Sequence, residues 1–105
     1  MKLVSIQSPY AGNINRNTEY AWRALHHSIM LGEAPFASHL LYGLLLDDSN
    51  PHEREMGISR DHAFLAKCDL VAFYHDYGFS PGMIEAQTLA ITLNIPTAIR
   101  HIGTK

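Results

Sequence analysis

The chain has 105 residues, of which 47% are hydrophobic and 17% charged, with a formal charge of −2. That length suits one domain with a real core but leaves no room for separate catalytic and cofactor domains. Without a basic run there is no electrostatic footprint for a nucleic-acid polymer, and no segment has the uninterrupted apolar length of a membrane helix. The apolar part of MKLVSIQSPY is too short for a signal peptide, so the expected location is the cytoplasm. Cys68 stands alone, which excludes an internal disulfide. Its place just before an apolar run reads as a small buried packing residue rather than a nucleophile.

Lys2 to Gln7 carries Leu3, Val4 and Ile6 and reads as a first, central strand ending at Ser8. SPYAGNINRN then breaks the period before a helix that begins near Asn15 or Thr18. Tyr20, Ala21, Ala24, Leu25, Ser28, Ile29 and Leu31 continue it at helical spacing to Gly32, a C-terminal stop. In EAPFAS, Pro35 limits the segment to a short or edge strand. LLYGLLLDD is apolar enough for a short buried helix or turn, and Pro51 opens the next helix, from His52 to Lys67, on the apolar pattern Met56, Ile58, Ala63, Phe64 and Leu65 with Glu53 and Glu55 in its first turn. Leu70 to Tyr74 is a short run with Val and two aromatics, the pattern of a strand covered on both faces.

A polar break follows at His75, Asp76, Tyr77 and Gly78. Ser80 then serves as N-cap, with Pro81 at the first helical position, where its missing N–H costs nothing. Met83, Ala86, Leu89, Ala90 and Leu93 stripe this helix to Asn94 and Pro96, and Thr97 to Ile102 closes the chain as a last strand. Strands alternating with helices imply an α/β fold: a small open parallel sheet of about four strands, flavodoxin- or Rossmann-like, in the order second-first-third-fourth, with helices on both faces. In such sheets ligands bind beyond the carboxyl ends of the strands where the connections reverse, here between the first and third strands.

The loops at that point are SPYAG and YHDYGFSPGM. They bring Ser8, Pro9, Tyr10, Asn13, Tyr74, His75, Asp76, Ser80, Gly82, Met83 and Glu85 toward one crevice, with His39 reachable from the second strand. Tyr10 and Tyr74 could stack on a base or close over a sugar, or simply pack at the sheet edge. The helix opening after Ser80 offers backbone N–H groups and a positive dipole end to phosphate, carboxylate or sugar oxygens; the alternative is an ordinary well-capped turn. Glu85, one turn in, can point back toward that mouth, since helical side chains tilt toward the N-terminus; otherwise it is a solvated helix residue. The seven histidines show no metal spacing. No GxGxxG or GxxxxGK[ST] motif is present, and GFSPG matches the hydrolase pattern GxSxG only superficially, because its Ser80 stands before Pro81 as a cap with no base oriented by a third group; no metal and no cofactor is expected.

These residues carry a resemblance. SPYAG after the first strand, HERE with AFLAKCDLVAFY, and the GFSPGM turn opening a helix that ends in NIP resemble the nucleoside 2-deoxyribosyltransferase-like superfamily over nearly the whole chain. That superfamily includes small deoxynucleotide N-glycoside hydrolases, and SPYAG, GEAPFASHLLY and SPGM look especially like compact uncharacterised phage and bacterial proteins grouped beside them. The resemblance implies a pocket for a nucleoside or nucleotide, with Ser8 and Tyr10 near base or sugar and Ser80, Gly82 and Met83 near phosphate or ribose. It also implies a helix glutamate acting at the anomeric carbon, four residues after the glycine of the turn. That position is Ala86 here. Glu85 lies one residue earlier, and one residue turns a helical side chain by ~100°.

Two expectations follow. The first is a protein that binds an anionic nucleotide-type small molecule and sequesters it, as a phage counter-defence protein would in the host cytoplasm. The second is an N-glycosidase or deoxyribosyltransferase with Glu85 as nucleophile and Asp76 or His75 handling the leaving base. The apolar LLYGLLL segment further suggests a homodimer or larger assembly burying part of Leu40 to Leu46 and completing the pocket.

Overall fold

A computed structural model describes residues 1–104. Its elements run β1 (Leu3–Gln7), α1 (Ile14–Met30), β2 (Ala34–Phe36), α2 (Ser38–Leu45), α3 (Pro51–Leu65), β3 (Leu70–Tyr74), α4 (Pro81–Thr92) and β4 (Thr97–Arg100). The four strands form one parallel sheet in the order β2-β1-β3-β4. The α/β class, the strand order and the strand-to-helix alternation are those the sequence implies. Among the described residues no helix is long and apolar enough to cross a membrane.

The period-two alternation of β3 divides the core. Leu70, Ala72 and Tyr74 join Val4, Ile6, Tyr20 and Ala24 on the face covered by α1, whereas Val71 and Phe73 join Leu65, Met83, Ala86 and Ala90 on the face of α3 and α4. All five β3 residues are buried, as a strand sandwiched between helix layers requires. Each fully buried Val, Leu or Phe side chain there contributes roughly 1.5–3 kcal/mol. β1 follows the same rule, sending Val4 and Ile6 toward α1 and leaving Ser5 and Gln7 on the other face, where the site lies.

Helix ends are set locally. The side chain of Asn50 accepts from the N–H groups of His52 and Glu53 to start α3, with Pro51 at the first position. α1 and α4 stop in Schellman turns at Gly32 (φ 83°) and Asn94 (φ 57°), where Glu33 N–H reaches Ser28 O at 3.2 Å and Ile95 N–H reaches Ala90 O at 2.9 Å.

Three readings are corrected. LLYGLLL forms a helix over part of its length, but α2 is not a buried one: Leu44 is 84% exposed and Leu45 68%, because α2 lies beside α3 outside the sheet layers. In α3 only Leu65 is buried, so the apolar positions from Met56 onward do not make a full stripe. Cys68 is half-buried rather than buried, its thiol donating to Phe64 O, because α3 has ended and the chain is turning toward β3.

Candidate functional site

A cavity of about 250 Å³ opens at the carboxyl edge of the sheet, between the loop after β1 and the start of α4, with α2 and α3 as its outer walls. Parallel strands all end on this side, so the loops that follow β1 and β3 converge there. Tyr10, from the first loop, is held from behind. The amide of the fully buried Asn17 donates to Tyr10 O at 3.0 Å and to Ala11 O at 3.1 Å, fixing the loop against α1. The Tyr10 ring meets the His39 ring edge-on, with centroids 5.7 Å apart, and its hydroxyl donates to Gly43 O at 3.5 Å. Tyr10 thus lies against α2, which contributes His39, Tyr42 and Gly43 to the wall.

Beneath this layer Asp61 of α3 accepts from Ser38 Oγ at 2.5 Å and from Gln7 Nε2 at 3.2 and 3.3 Å, while the same Gln7 amide donates to Ser5 Oγ at 2.9 Å. One carboxylate therefore ties the end of β1, the start of α2 and the last turns of α3 together, and it lines the cavity. Ser8 Oγ lies 3.4 Å from His39 Nε2. Burial pushes the His39 imidazole below its ordinary value against the pull of the Asp61 charge, so the ring is held neutral.

At the α4 mouth Ser80 caps as expected. Its hydroxyl accepts from Met83 N–H at 3.2 Å, its own N–H reaches Met83 Sδ at 3.5 Å, and its carbonyl takes Ile84 N–H at 3.1 Å. With Pro81 lacking a donor, the Gly82 N–H is what the first turn leaves for a ligand. Glu85 is exposed and lines the cavity. Ala86 is fully buried against the sheet, so the position that the resemblance gives to a glutamate faces the core.

Of the residues singled out in the sequence, the cavity gathers Ser8, Tyr10, His39, Ser80, Gly82, Met83 and Glu85. Pro9 is buried between two of them without lining it. Asn13 caps α1 by accepting from Arg16 N–H. Tyr74, His75 and Asp76 do not line the cavity. Tyr74 is buried on the α1 face, with its hydroxyl 2.8 Å from His27 Nδ1 and 3.0 Å from Arg100. His75 packs between the Phe79 and His101 rings.

Asp76 accepts from Tyr20 Oη at 2.6 Å and from the N–H groups of Ile102 and Gly103, both at 2.9 Å. Burial pushes its carboxyl up, but these hydrogen bonds outweigh that and bring it down to about 2. Its acceptors are committed to holding the C-terminal segment. Sequence reading missed Gln7, Ser38, Tyr42, Arg54 and Asp61, all on the cavity wall. The only signal for α3 was positional: Glu53, Arg54, Gly57, Ile58, Asp61 and His62 recur on one helical face, where a core stripe would be apolar.

Among the described residues no group of three or more His, Cys, Asp or Glu side chains is arranged to hold a metal ion. A family model described as a domain of unknown function (DUF7768) matches residues 2–100, and the chain belongs to that family. A search among curated proteins finds no match.

Proposed function

We propose that this DUF7768 protein binds a ribosylated small molecule of the nucleoside or nucleotide type in the cavity at the carboxyl edge of its sheet. The supporting observation is the company kept there: two tyrosine rings, Tyr10 and Tyr42, share one small cavity with the carboxylates of Asp61 and Glu85. Aromatic faces stack on a base, and carboxylates accept hydrogen bonds from sugar hydroxyls. A volume of about 250 Å³ is at the small end of ligand pockets and suits one nucleoside unit rather than a dinucleotide. The resemblance to the nucleoside 2-deoxyribosyltransferase-like superfamily points the same way. Ligand held without cleavage is sequestered, which is the role of a counter-defence protein.

Calorimetry against nucleosides, nucleotides, cyclic nucleotides and ADP-ribose derivatives tests this, followed by recovery of the ligand from denatured protein. Intact recovered ligand is the expected result; no heat with any of these compounds would overturn the reading. A second reading, N-glycoside cleavage or deoxyribosyl transfer, is favoured by Glu85 lining the same cavity as Asp61. Glu85 would attack the anomeric carbon, and Asp76, engaged elsewhere, has no part in it. Free base in the recovered material, lost in Glu85→Gln, would establish that reading.

A further inference from the structure

We infer that the cavity selects an uncharged ribosylated ligand, a free nucleoside, over its phosphorylated form. This rests on the ribosyl-binding reading above and reverses the anionic ligand that the sequence suggests.

Four carboxylates, Asp48, Glu53, Asp61 and Glu85, line the cavity against a single guanidinium, Arg54. That guanidinium is already engaged, with its Nε 3.8 Å from Asp48. Glu53 accepts from Asp47 N–H, and Asp61 accepts from Ser38 and Gln7, yet both have spare lone pairs. Glu85 has no ion-pair partner among the described residues. Of the two imidazoles on the wall, His39 is held neutral by burial.

The usual counterweight is a helix N-terminus, and that of α4 is depleted. Ser80 consumes the Met83 donor, Met83 Sδ takes the Ser80 donor, and Pro81 has none, which leaves Gly82 N–H alone. A phosphate monoester needs several donors and a positive field, whereas the α4 mouth supplies one backbone N–H and the cavity wall carries an excess of negative charge. A free nucleoside brings the complementary chemistry, because its ribose hydroxyls and base amino groups are donors with no charge of their own. Glu85 is the discriminating residue: it is exposed on the first turns of α4, beside the Gly82 donor where a phosphate would approach.

The experiment is calorimetry of the full chain at neutral pH and moderate salt with matched pairs: adenosine, guanosine, cytidine and uridine, each against its 5′-monophosphate. The expected result is that any nucleoside that binds does so at least about tenfold more tightly than its monophosphate. Glu85→Lys, a change at an exposed helix position, is expected to narrow or invert that ratio. A monophosphate that binds the parent protein as tightly as its nucleoside overturns charge selection and leaves the ribosyl site standing. A ratio unchanged in Glu85→Lys overturns the assignment to Glu85. Silence of every nucleoside and every monophosphate overturns this inference, and the ribosyl reading falls with it only if cyclic nucleotides and ADP-ribose derivatives are silent as well.

Discussion

Two polar clusters around the sheet look alike in sequence and differ in what their polar atoms face. Around β3 and β4, Asp76 accepts from a tyrosine and two backbone N–H groups. Glu33 takes both arms of Arg100, at 2.8 and 2.7 Å, as well as the Ser28 hydroxyl at 2.6 Å. Around β1 and α4, Asp61 and Glu85 face an open cavity with acceptor capacity to spare. The first cluster turns inward and fastens α1, β2, β4 and the C-terminal segment to one another; the second leaves its chemistry unspent. A carboxylate near the loop end of a parallel strand marks a site only when its neighbours have not already satisfied it.

The sharpest way to break that comparison is to strip the inward cluster of its cation. Arg100→Ala leaves the Glu33 carboxylate, only 12% exposed, without its partner. The expected loss is about 3–5 kcal/mol, read from urea or thermal unfolding. At temperatures where the variant is folded, ligand affinity should be unchanged. The double variant Glu33→Leu with Arg100→Met should recover much of the loss, because neither charge is then stranded.

Asp76→Asn is next, at about 1.5–3 kcal/mol near neutral pH, since a charged acceptor serving three donors is lost. Its pH dependence has a definite sign. The native carboxyl titrates at about 2, below its unfolded value of about 3.9, so its contribution is full above the unfolded value and fades as pH falls toward 2. The stability gap between parent and Asp76→Asn should therefore be constant above about pH 5 and close as the solution is acidified. A gap that persisted near pH 2 would mean that the Asp76 charge is not what holds the C-terminal segment.

The fold was legible because its determinants are local. Period-two and helical spacing, the Asn50 and Ser80 caps, and the stops at Gly32 and Asn94 all act within a few residues. The cavity lining was legible where it depends on the same locality, at Ser8, Tyr10, Ser80 and Gly82, which flank strand ends and helix starts. Asp76 reads as a site candidate in the sequence but does not line the cavity, because its satisfaction comes from Tyr20, 56 positions away, and from residues beyond β4. Asp61 stayed hidden for the opposite reason: on a helix with one buried residue it looks like a solvated side chain until Gln7 and Ser38 are brought to it by the sheet. Apolar composition misled at α2, because burial depends on which layer the helix joins, and composition does not specify the layer.

A smaller effect is expected at the edge of the cavity. Ser80→Ala removes the α4 cap at a cost of about 0.5–2 kcal/mol, seen as a lower urea midpoint. Because it also releases Met83 N–H toward the mouth, it should not weaken binding of a monophosphate relative to its nucleoside. A variant that lost monophosphate binding selectively would show that the Ser80 hydroxyl itself contacts the phosphate.

The smallest change in stability should come from Gly43→Ala, which separates the cavity from the fold most cleanly. A Cβ built at Gly43 would stand 2.5 Å from the Tyr10 hydroxyl oxygen, 2.8 Å from Cζ and 3.0 Å from Cε1, so the tyrosine ring has to move. Its backbone cannot follow easily, because Asn17 holds the carbonyls of Tyr10 and Ala11. The movement therefore falls on the Tyr10 side chain, which swings away from His39 and changes the cavity wall. Alanine favours a helix over glycine by roughly 0.8–1 kcal/mol, which offsets the lost contact and keeps the net change within about 1 kcal/mol. Ligand affinity, by contrast, is expected to fall about tenfold or more. Gly57→Ala is the matched control. Gly57 also lines the cavity from a helix, but a Cβ there meets only Leu46 Cδ1 at 3.5 Å, an ordinary contact, so binding should hold and stability rise slightly. If both glycine variants bound nucleosides like the parent protein, Tyr10 would be a packing residue against α2 and would have no part in holding the ligand.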